Sequence, residues 1–487
     1  MTERSVSFFT SRFGMFVAML GMAVGTGNIW RFPRVAASNG GGSFLVAWVV
    51  FLLLWSVPLI LVEFAMGKKA RSGPVAAFGK LVGRRYTWMG AWVAWTAMAI
   101  MFYYAVVTGW TIRYVWGALV GELGTQAPGA VWESFAYSPW VVVFQGIALG
   151  LAVFVVARGV RGIEAATRVL IPSLFVLVVV LAIRAVTLPG ADAGLNFLFT
   201  PTLEGLSDAN IWLQALTQNA WDTGAGWGLI LTYAVYLRKQ EDTALNAFML
   251  GFGNNTVSLL AGIMVICTVF SIMPDAASQI VGASNEGLTF IWVPQLFAQM
   301  PAGRFFMVLF FVALFFAAWT SLISMVELAT RVLQDAGIER GRALLMILGV
   351  GFALGVPSAL SEDVFLNQDF VWGVGLMVSG LFFAVAVLKY GVKRFRETLI
   401  NHEYSDIRIG AWFDVVIRLV VVQAIVLVAW WFWQVRAENI WGPFGVANMA
   451  LQFALAIAIF LLFNRRIASA SGVSEEEPLL ETAAGER

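Results

Sequence analysis

Glycines interrupt an apolar stretch near the start of the chain. Gly25 and Gly27 lie in a segment that is otherwise long and apolar enough for a membrane helix. Lipid gives the backbone no hydrogen-bonding partner, so a helix breaks at mid-membrane only where its freed carbonyl groups face protein, ions or a cavity. Residues 221–228 form a second glycine-rich interruption inside another apolar stretch. Paired breaks of this kind are the best sequence indication of the binding site of a secondary transporter.

Composition limits the classes of function. Hydrophobic residues make up 60% of the chain, charged residues only 12%, and the mean hydropathy is +0.81, whereas about a quarter of a soluble protein is charged. We therefore expect a polytopic membrane protein. A net charge of +2 without a concentrated basic surface excludes nucleic acid as a partner. His402 and Cys267 are the sole histidine and cysteine, which excludes enzyme chemistry or metal sites built on these residues.

Twelve stretches are apolar enough to cross a bilayer, which takes about 20 residues each. They cover residues 13–36, 42–67, 87–119, 139–157, 165–188, 210–237, 242–273, 303–332, 342–360, 368–390, 409–434 and 443–464. The predicted fold is thus all-α with twelve transmembrane helices. Lysine and arginine concentrate in the loops after the second, fourth and tenth stretches, which places those loops and both termini in the cytoplasm of a plasma (inner) membrane protein.

The residue order at the first interruption is specific. From Gly21 the chain reads Gly-x-Ala-Val-Gly-x-Gly-Asn-x-Trp-Arg-Phe-Pro, and residues 39–42 read Asn-Gly-Gly-Gly. This resembles the first helix of the neurotransmitter:sodium symporter family, which includes the bacterial leucine transporter, and the resemblance extends to about residue 390. It implies a five-plus-five inverted repeat with helices one and six unwound at mid-membrane.

The resemblance also implies the domain boundaries. They are a cytoplasmic segment 1–12, a first repeat 13–188, a second repeat 189–390, a trailing helix pair 391–466 and a cytoplasmic tail 467–487, whose polar, unpatterned sequence predicts disorder.

The implied substrate is a small or apolar amino acid. Family transporters of biogenic amines carry aspartate at the position of Gly25, whereas glycine leaves room for a substrate with its own carboxylate. That carboxylate should meet the first sodium ion, the half-helix N–H groups and Tyr104. Trp221 takes the place of the lid and Trp227 that of the aromatic residue shaping the pocket, although two tryptophans could instead flank a betaine-like ammonium. The expected substrate-binding residues are Ala23, Gly25, Thr26, Gly27, Ile100, Tyr104, Trp221, Asp222, Gly224, Trp227, Ser321, Ser324 and Met325.

Two sodium sites follow from the same resemblance. Sodium is a hard cation that binds oxygen, and unwound backbone supplies carbonyl oxygens. The first site is expected to use Ala23, Asn28, Asp222 and Asn254. The second is expected to use Gly21, Val24, Ala317, Thr320 and Ser321. Taken alone, the two hydroxyl groups would more simply bond back to their own helix.

Asp222 departs from the family pattern, because most members have serine or threonine at this position. In the animal transporters of the family, a chloride ion binds beside the first sodium ion. Two sodium ions and one zwitterion leave about one uncompensated positive charge, which costs several kcal/mol in a low-dielectric site. Ser258 replaces the glutamate that supplies the balancing charge in the leucine transporter. We therefore expect Asp222 to substitute for chloride and to take up a proton on the empty return step. The alternatives are that Asp222 binds the substrate amine, or that it has a structural role and bonds to the unwound backbone.

Charged residues are implied to gate the site. Arg31 and Asp369 match the outer pair. Asp335 matches the acid of the inner pair, but the aligned basic position reads Val6, which leaves Arg4 as the nearest replacement.

Glu63 is implied to brace the unwound sixth helix, unless it extends to the cytoplasmic interface beside Lys68. Gly162 and Pro172 resemble the family signature for local unwinding of the fifth helix. The rival non-transport function is an ion channel, which would require an open path where the resemblance implies occlusion.

Overall fold

The computed structural model describes residues 8–125 and 129–473, which are predominantly helical and contain no strand. Nine helices in these ranges are long and apolar enough to cross a membrane, and two further spans consist of helix pairs bent at a break. With the interrupted sixth element they form twelve membrane-crossing elements, named here span 1 to span 12. Their bounds, in order, are Arg12–Ala23 with Gly27–Ser38, Gly42–Ala70, Arg84–Val120, Pro139–Ala157, Gly159–Val186, Ala209–Asp222 with Leu229–Ala234, Thr243–Ile272, Gly303–Asp335, Arg340–Leu360, Glu362–Tyr390, Trp412–Gln434, and Val446–Leu462 with Asn464–Ala470.

Spans 1, 3, 6 and 8 meet at the centre of the bundle. Span 3 packs along span 8, span 1 packs on spans 5 and 8, and the second half of span 6 packs on span 2. Large side chains such as Trp55, Trp92 and Trp110 are completely buried in this core. Spans 4, 5, 9 and 11 expose apolar side chains on their outer faces, as expected where lipid is the solvent. The most enclosed part of the bundle therefore surrounds the broken helices.

The break in span 1 occurs where glycine weakens the helix. The two helical segments differ in direction by 57°, and Val24 between them is extended, with φ −74° and ψ 111°. The Asn28 side chain accepts a hydrogen bond of 2.8 Å from the Gly25 N–H. This bond satisfies a backbone group released by the break, which is a requirement at membrane depth.

The break in span 6 depends on positive φ angles that favour glycine. Gly224, Gly226 and Gly228 have φ values of +70°, +87° and +78°. The Glu63 carboxylate of span 2 accepts the Gly226 N–H at 2.6 Å and the Leu231 N–H at 3.0 Å. Glu63 is fully buried, so it braces the unwound segment and does not extend to the cytoplasmic interface.

Two sequence expectations differ from the structure. The first is the start of the disordered tail, which was predicted at residue 467. Asn464–Ala470 is helical, and Ala468 and Val473 bury their side chains against Ala76. Residues 474–487 lie outside the described ranges. Gly162 and Pro172 lie inside one continuous helix, span 5, so the unwinding implied by the family signature is not seen in this conformation.

Candidate substrate and ion site

One cavity lies between the two breaks and is closed on the other side by spans 3, 8 and 10. Its walls contain all the expected substrate-binding residues except two. Ile100 is completely buried in the core. Ser324 donates its hydroxyl proton to the carbonyl of Ser321 at 2.7 Å, which turns it onto its own helix. The assignments of Ile100 and Ser324 to the pocket wall are therefore corrected.

The Tyr104 hydroxyl reaches the break in span 1. It accepts the Thr26 N–H at 3.0 Å and lies 3.1 Å from the Thr26 hydroxyl. Since its oxygen is the acceptor for a backbone N–H, its own proton is available to a substrate carboxylate. A Cβ on Gly25 would lie 2.8 Å from Ser321 Oγ and 3.0 Å from the Tyr104 oxygen. The backbone at residue 25 is therefore open to a ligand only because the residue is glycine.

The buried carboxylate of Asp222 belongs to a hydrogen-bonded network with four other polar side chains. Asn28 Nδ2 donates to Asn254 Oδ1 at 3.0 Å and to Ser258 Oγ at 2.7 Å. Ser258 Oγ and Gln218 Nε2 each donate to Asp222 Oδ2 at 3.2 Å. Asp222 Oδ1 is buried and has no hydrogen-bond partner within the described residues. An unpaired buried carboxylate oxygen is unfavourable unless a cation or proton compensates it, so this group fits a sodium ion.

The residues expected at the first sodium site therefore come together. Asn28, Asn254 and Asp222 share the network, and Ala23 lines the same cavity. Within the described ranges, no group of three or more histidine, cysteine or acidic residues could hold a metal. The oxygen donors here are amides, hydroxyls, carbonyls and one carboxylate, as a hard monovalent cation requires.

The residues expected at the second sodium site lie where span 8 crosses the break in span 1. Ser321 Oγ donates to the Val24 carbonyl at 3.2 Å, so this hydroxyl reaches across to the other helix. Thr320 Oγ1 instead bonds to carbonyl groups of its own helix, including that of Ala317 at 3.2 Å. Gly21 is buried one turn before Val24. The alternative in which both hydroxyl groups bond back to their own helix therefore holds for Thr320 but not for Ser321.

The outer charged residues do not form the expected ion pair in this structure. Arg31 and Asp369 both line the cavity, but their charged groups are not within 4.0 Å of each other. The Arg31 guanidinium instead lies over the Trp221 ring, 4.6 Å from its centroid. Trp221 meets Trp227 edge-on at 6.1 Å, and a Cβ on Gly373 would lie 2.1 Å from Trp221 Cζ2. The lid is therefore held between a cation and a glycine surface of span 10.

The loop between spans 7 and 8 supplies residues that the sequence interpretation missed. Asn285 and Glu286 line the cavity, and the Arg34 side chain donates to Asn285 Oδ1 at 2.6 Å. Burial raises the pKa of the Glu286 carboxyl above its ordinary value, with Arg34 acting in the opposite direction. The apolar segment Gly287–Ala298, too short to cross a bilayer, was the available signal that this loop folds back onto the bundle. The remaining lining residues not named beforehand are Met22, Trp30, Tyr103, Val107, Leu229 and Phe365.

Asp335, the acid expected at the inner gate, contacts two groups within the described residues. Asp335 pairs with Arg331 at 3.0 Å and accepts the Gly73 N–H at 2.6 Å. Arg4 lies outside the described residues. Within the described part of the chain, Asp335 thus fixes the loop after span 2 to the end of span 8.

A separate acidic group holds the start of span 1. Glu164 of span 5 accepts hydrogen bonds from the Thr10 N–H at 2.8 Å and the Thr10 hydroxyl at 2.6 Å. It also pairs with Arg168 at 2.6 Å. A Cβ on Gly14 would lie 1.8 Å from Glu164 Oε1, so the two helices are in close contact at this point.

An all-helical membrane fold with two interrupted helices facing one buried cavity defines a secondary transporter. The sodium:neurotransmitter symporter family matches residues 7–141 and 138–465, and the chain belongs to this family. Its members are sodium-dependent transporters rather than enzymes.

Known relatives agree with this assignment. An uncharacterised sodium-dependent transporter of Bacillus subtilis is 34% identical over 373 residues, covering 75% of this chain and 81% of its own. A sodium- and chloride-dependent betaine transporter of Caenorhabditis elegans is 26% identical over 444 residues, covering 79% and 73%. The crystal structure of MhsT in complex with L-phenylalanine is similar, with a TM-score of 0.76 and 28% identity over 87% of this chain and 99% of that one.

Proposed function

We propose that the protein is a symporter that imports an amino acid with sodium by alternating access and does not require chloride. Two sodium ions bind at the two sets of residues around the breaks. Both termini face the cytoplasm, and the protein lies in the plasma (inner) membrane. The physical basis is that each half of the bundle contributes one broken helix, so movement of one half relative to the other opens the same cavity to either side.

The substrate is an amino acid with an apolar side chain. The bare backbone at Gly25 and the Tyr104 hydroxyl can receive its carboxylate, and the cavity lining includes the apolar side chains of Val107, Met325 and Phe365. The phenylalanine in the similar MhsT complex supports this class.

A betaine-like substrate is the second candidate, favoured by the betaine transporter among the relatives. A quaternary ammonium needs free aromatic faces. One face of Trp221 is already covered by the Arg31 guanidinium, which argues against a cage formed by Trp221 and Trp227.

The observation that carries the proposal is the unpaired oxygen of Asp222. This oxygen belongs to the buried carboxyl group that Ser258 links to Asn28, which in turn bonds to Asn254, where the first sodium ion is expected. The other oxygen is bonded to Gln218 and Ser258, and the Ser258 hydroxyl makes this connection. A fixed carboxylate at residue 222 has the same electrostatic effect as a bound chloride, because both cancel the excess positive charge of the site when sodium and substrate are bound. In the amine-anchor alternative, the same unpaired oxygen would bind the substrate amine in the cavity that Asp222 lines.

Uptake by purified protein in vesicles tests the proposal. With L-phenylalanine as the first probe, accumulation should require a sodium gradient and continue when gluconate replaces chloride. Asp222→Ser should make uptake respond to added chloride and lose its dependence on internal pH, while the exposed Asp363→Ser serves as the matched control.

Three results would contradict parts of the proposal. Equal accumulation in potassium would refute sodium coupling. Wild-type uptake that stops without chloride would refute the role of Asp222. Loss of substrate affinity in Asp222→Ser regardless of the anion would identify Asp222 as the amine anchor.

A further inference from the structure

A second cavity opens on the peripheral, lipid-facing surface of the bundle, between spans 3, 9, 10 and 12. Its floor includes Trp95, Ala99 and Trp372, and its mouth lies between Leu354 of span 9 and Leu455 of span 12. Its volume is about 340 Å³. Ligand pockets are commonly about 300 to 1,000 Å³. The cavity shares no residue with the substrate site.

The mouth of this cavity faces membrane lipid. Leu354, Leu455 and Ile459 are 48%, 60% and 43% exposed, and all three lie on membrane-crossing helices. Hydrocarbon rather than water is therefore the medium at the mouth. An unfilled apolar cavity forfeits dispersion contacts along its walls, and an acyl chain from the bilayer can restore them without any loss of hydration.

Polar groups on the wall are compatible with a lipid ester. Gln368 and Gln452 line the cavity and lie 3.3 Å apart from amide nitrogen to amide oxygen. The Trp372 indole donates to Gln368 Oε1 at 2.9 Å. The Trp95 indole N–H is buried and has no acceptor in the described part of the chain. Polar groups at membrane depth require partners, and an ester carbonyl is an acceptor.

We propose that this cavity, the acyl pocket, binds one hydrocarbon chain of a membrane phospholipid, with the ester end of that lipid beside Gln368, Gln452 and the Trp95 indole N–H. The aromatic floor contacts the chain, while the mouth lets the second chain and the headgroup remain in the bilayer. This occupant fits an apolar groove with amides on its wall and a lipid-facing mouth. A second copy of the protein would have to fill the cavity with side chains alone.

The acyl pocket lies behind the lid of the substrate site. Neighbouring residues of span 10 face the two cavities, because Gln368 and Trp372 line the acyl pocket whereas Asp369 lines the substrate cavity. Gly373, next to Trp372, contacts the Trp221 ring. A chain in the acyl pocket therefore supports the surface against which the lid rests, and it favours closure of the outer side.

Lipid retention in native mass spectrometry tests the pocket itself. Ala456→Phe places a ring in the pocket, and Ala458→Phe adds the same ring at an exposed position of the same helix. After delipidation and titration with phosphatidylglycerol, wild-type protein and the Ala458 variant should retain one tightly held lipid. The Ala456 variant should need at least tenfold more lipid for the same occupancy. A sodium-dependent rise in its unfolding midpoint shows that the variant is folded.

Labelling of a reporter cysteine tests the coupling. Val107 lines the substrate cavity and is 1% exposed, so the thiol of Val107→Cys reacts with an impermeant maleimide only when the outer side opens. Cys267, the native cysteine, is completely buried. Phosphatidylglycerol should slow labelling several-fold in this variant and have no effect when Ala456→Phe is added.

The proposal fails if the Ala456 variant retains lipid as wild-type protein does. It also fails if the protein forms lipid-free dimers that only this substitution disrupts, since the occupant would then be a second copy. Labelling that ignores lipid in both variants would overturn the link to the lid.

Discussion

Replacement of Glu63 by glutamine tests whether one carboxylate holds the break in span 6. Both Glu63 oxygens accept backbone N–H groups, those of Gly226 and Leu231. Glutamine retains one acceptor oxygen, but its amide nitrogen would face an N–H group that it cannot accept. Hydrogen bonds to a charged group contribute about 1.5 to 3 kcal/mol each, and an unsatisfied buried donor costs about 1 to 3 kcal/mol. We therefore expect Glu63→Gln to lower the free energy of unfolding by roughly 2 to 4 kcal/mol.

Reversible denaturant unfolding in lipid–detergent micelles, read by tryptophan fluorescence, measures this loss. Glu438→Gln is the matched control, because Glu438 is exposed and its substitution should change the free energy of unfolding by less than about 0.5 kcal/mol. Glu63→Gln should also weaken sodium binding, since the unwound segment begins beside Asp222. A glutamine variant as stable as wild-type protein would refute the reasoning, because it would mean that the buried side chain acts as a neutral acid.

Three further predictions concern the two ends of the transport path. Gly373→Ala should displace Trp221 and weaken substrate binding at least tenfold in an equilibrium assay, whereas Gly349→Ala, which meets no atom within 4 Å, should leave binding unchanged. Glu164→Gln should release the residues before span 1 and raise the sodium concentration for half-maximal stabilisation by about tenfold. The reason is that a lost charge-assisted hydrogen bond exceeds the roughly 1.4 kcal/mol that corresponds to a tenfold change in affinity. An unchanged half-maximal sodium concentration would exclude this anchoring. Arg31→Lys should impair uptake nearly as much as Arg31→Gln, because lysine keeps the charge but not the planar stack. Full activity of the lysine variant would show that charge alone suffices.

The sequence predicted the breaks and the cavity because both have local causes. Glycines in an apolar stretch disrupt a membrane helix wherever they occur, and Asp222 and Asn28 are polar groups that must face each other or an ion. The contact of Arg31 with Trp221 was not predicted, because a long side chain in a shared cavity can reach several groups and three-dimensional packing decides among them. The pairing of Arg31 with Asp369 as the outer gate stays a prediction. Ser324 was misplaced because a hydroxyl on a helix can bond to its own backbone.

The steric constraint at Gly25 has an evolutionary consequence. A Cβ at residue 25 would lie 2.8 Å from Ser321 Oγ of span 8 and 3.0 Å from the Tyr104 oxygen of span 3, so these hydroxyl groups must shift before residue 25 can carry an aspartate. A lineage that exchanged amino acids for amines as cargo would therefore have to rearrange the neighbouring spans together with residue 25. Such interdependence makes substrate class an inherited property of three helices together. It also explains, in physical terms, why altering this transporter's cargo by directed evolution should require combined libraries at residues 25, 104 and 321 rather than successive single substitutions.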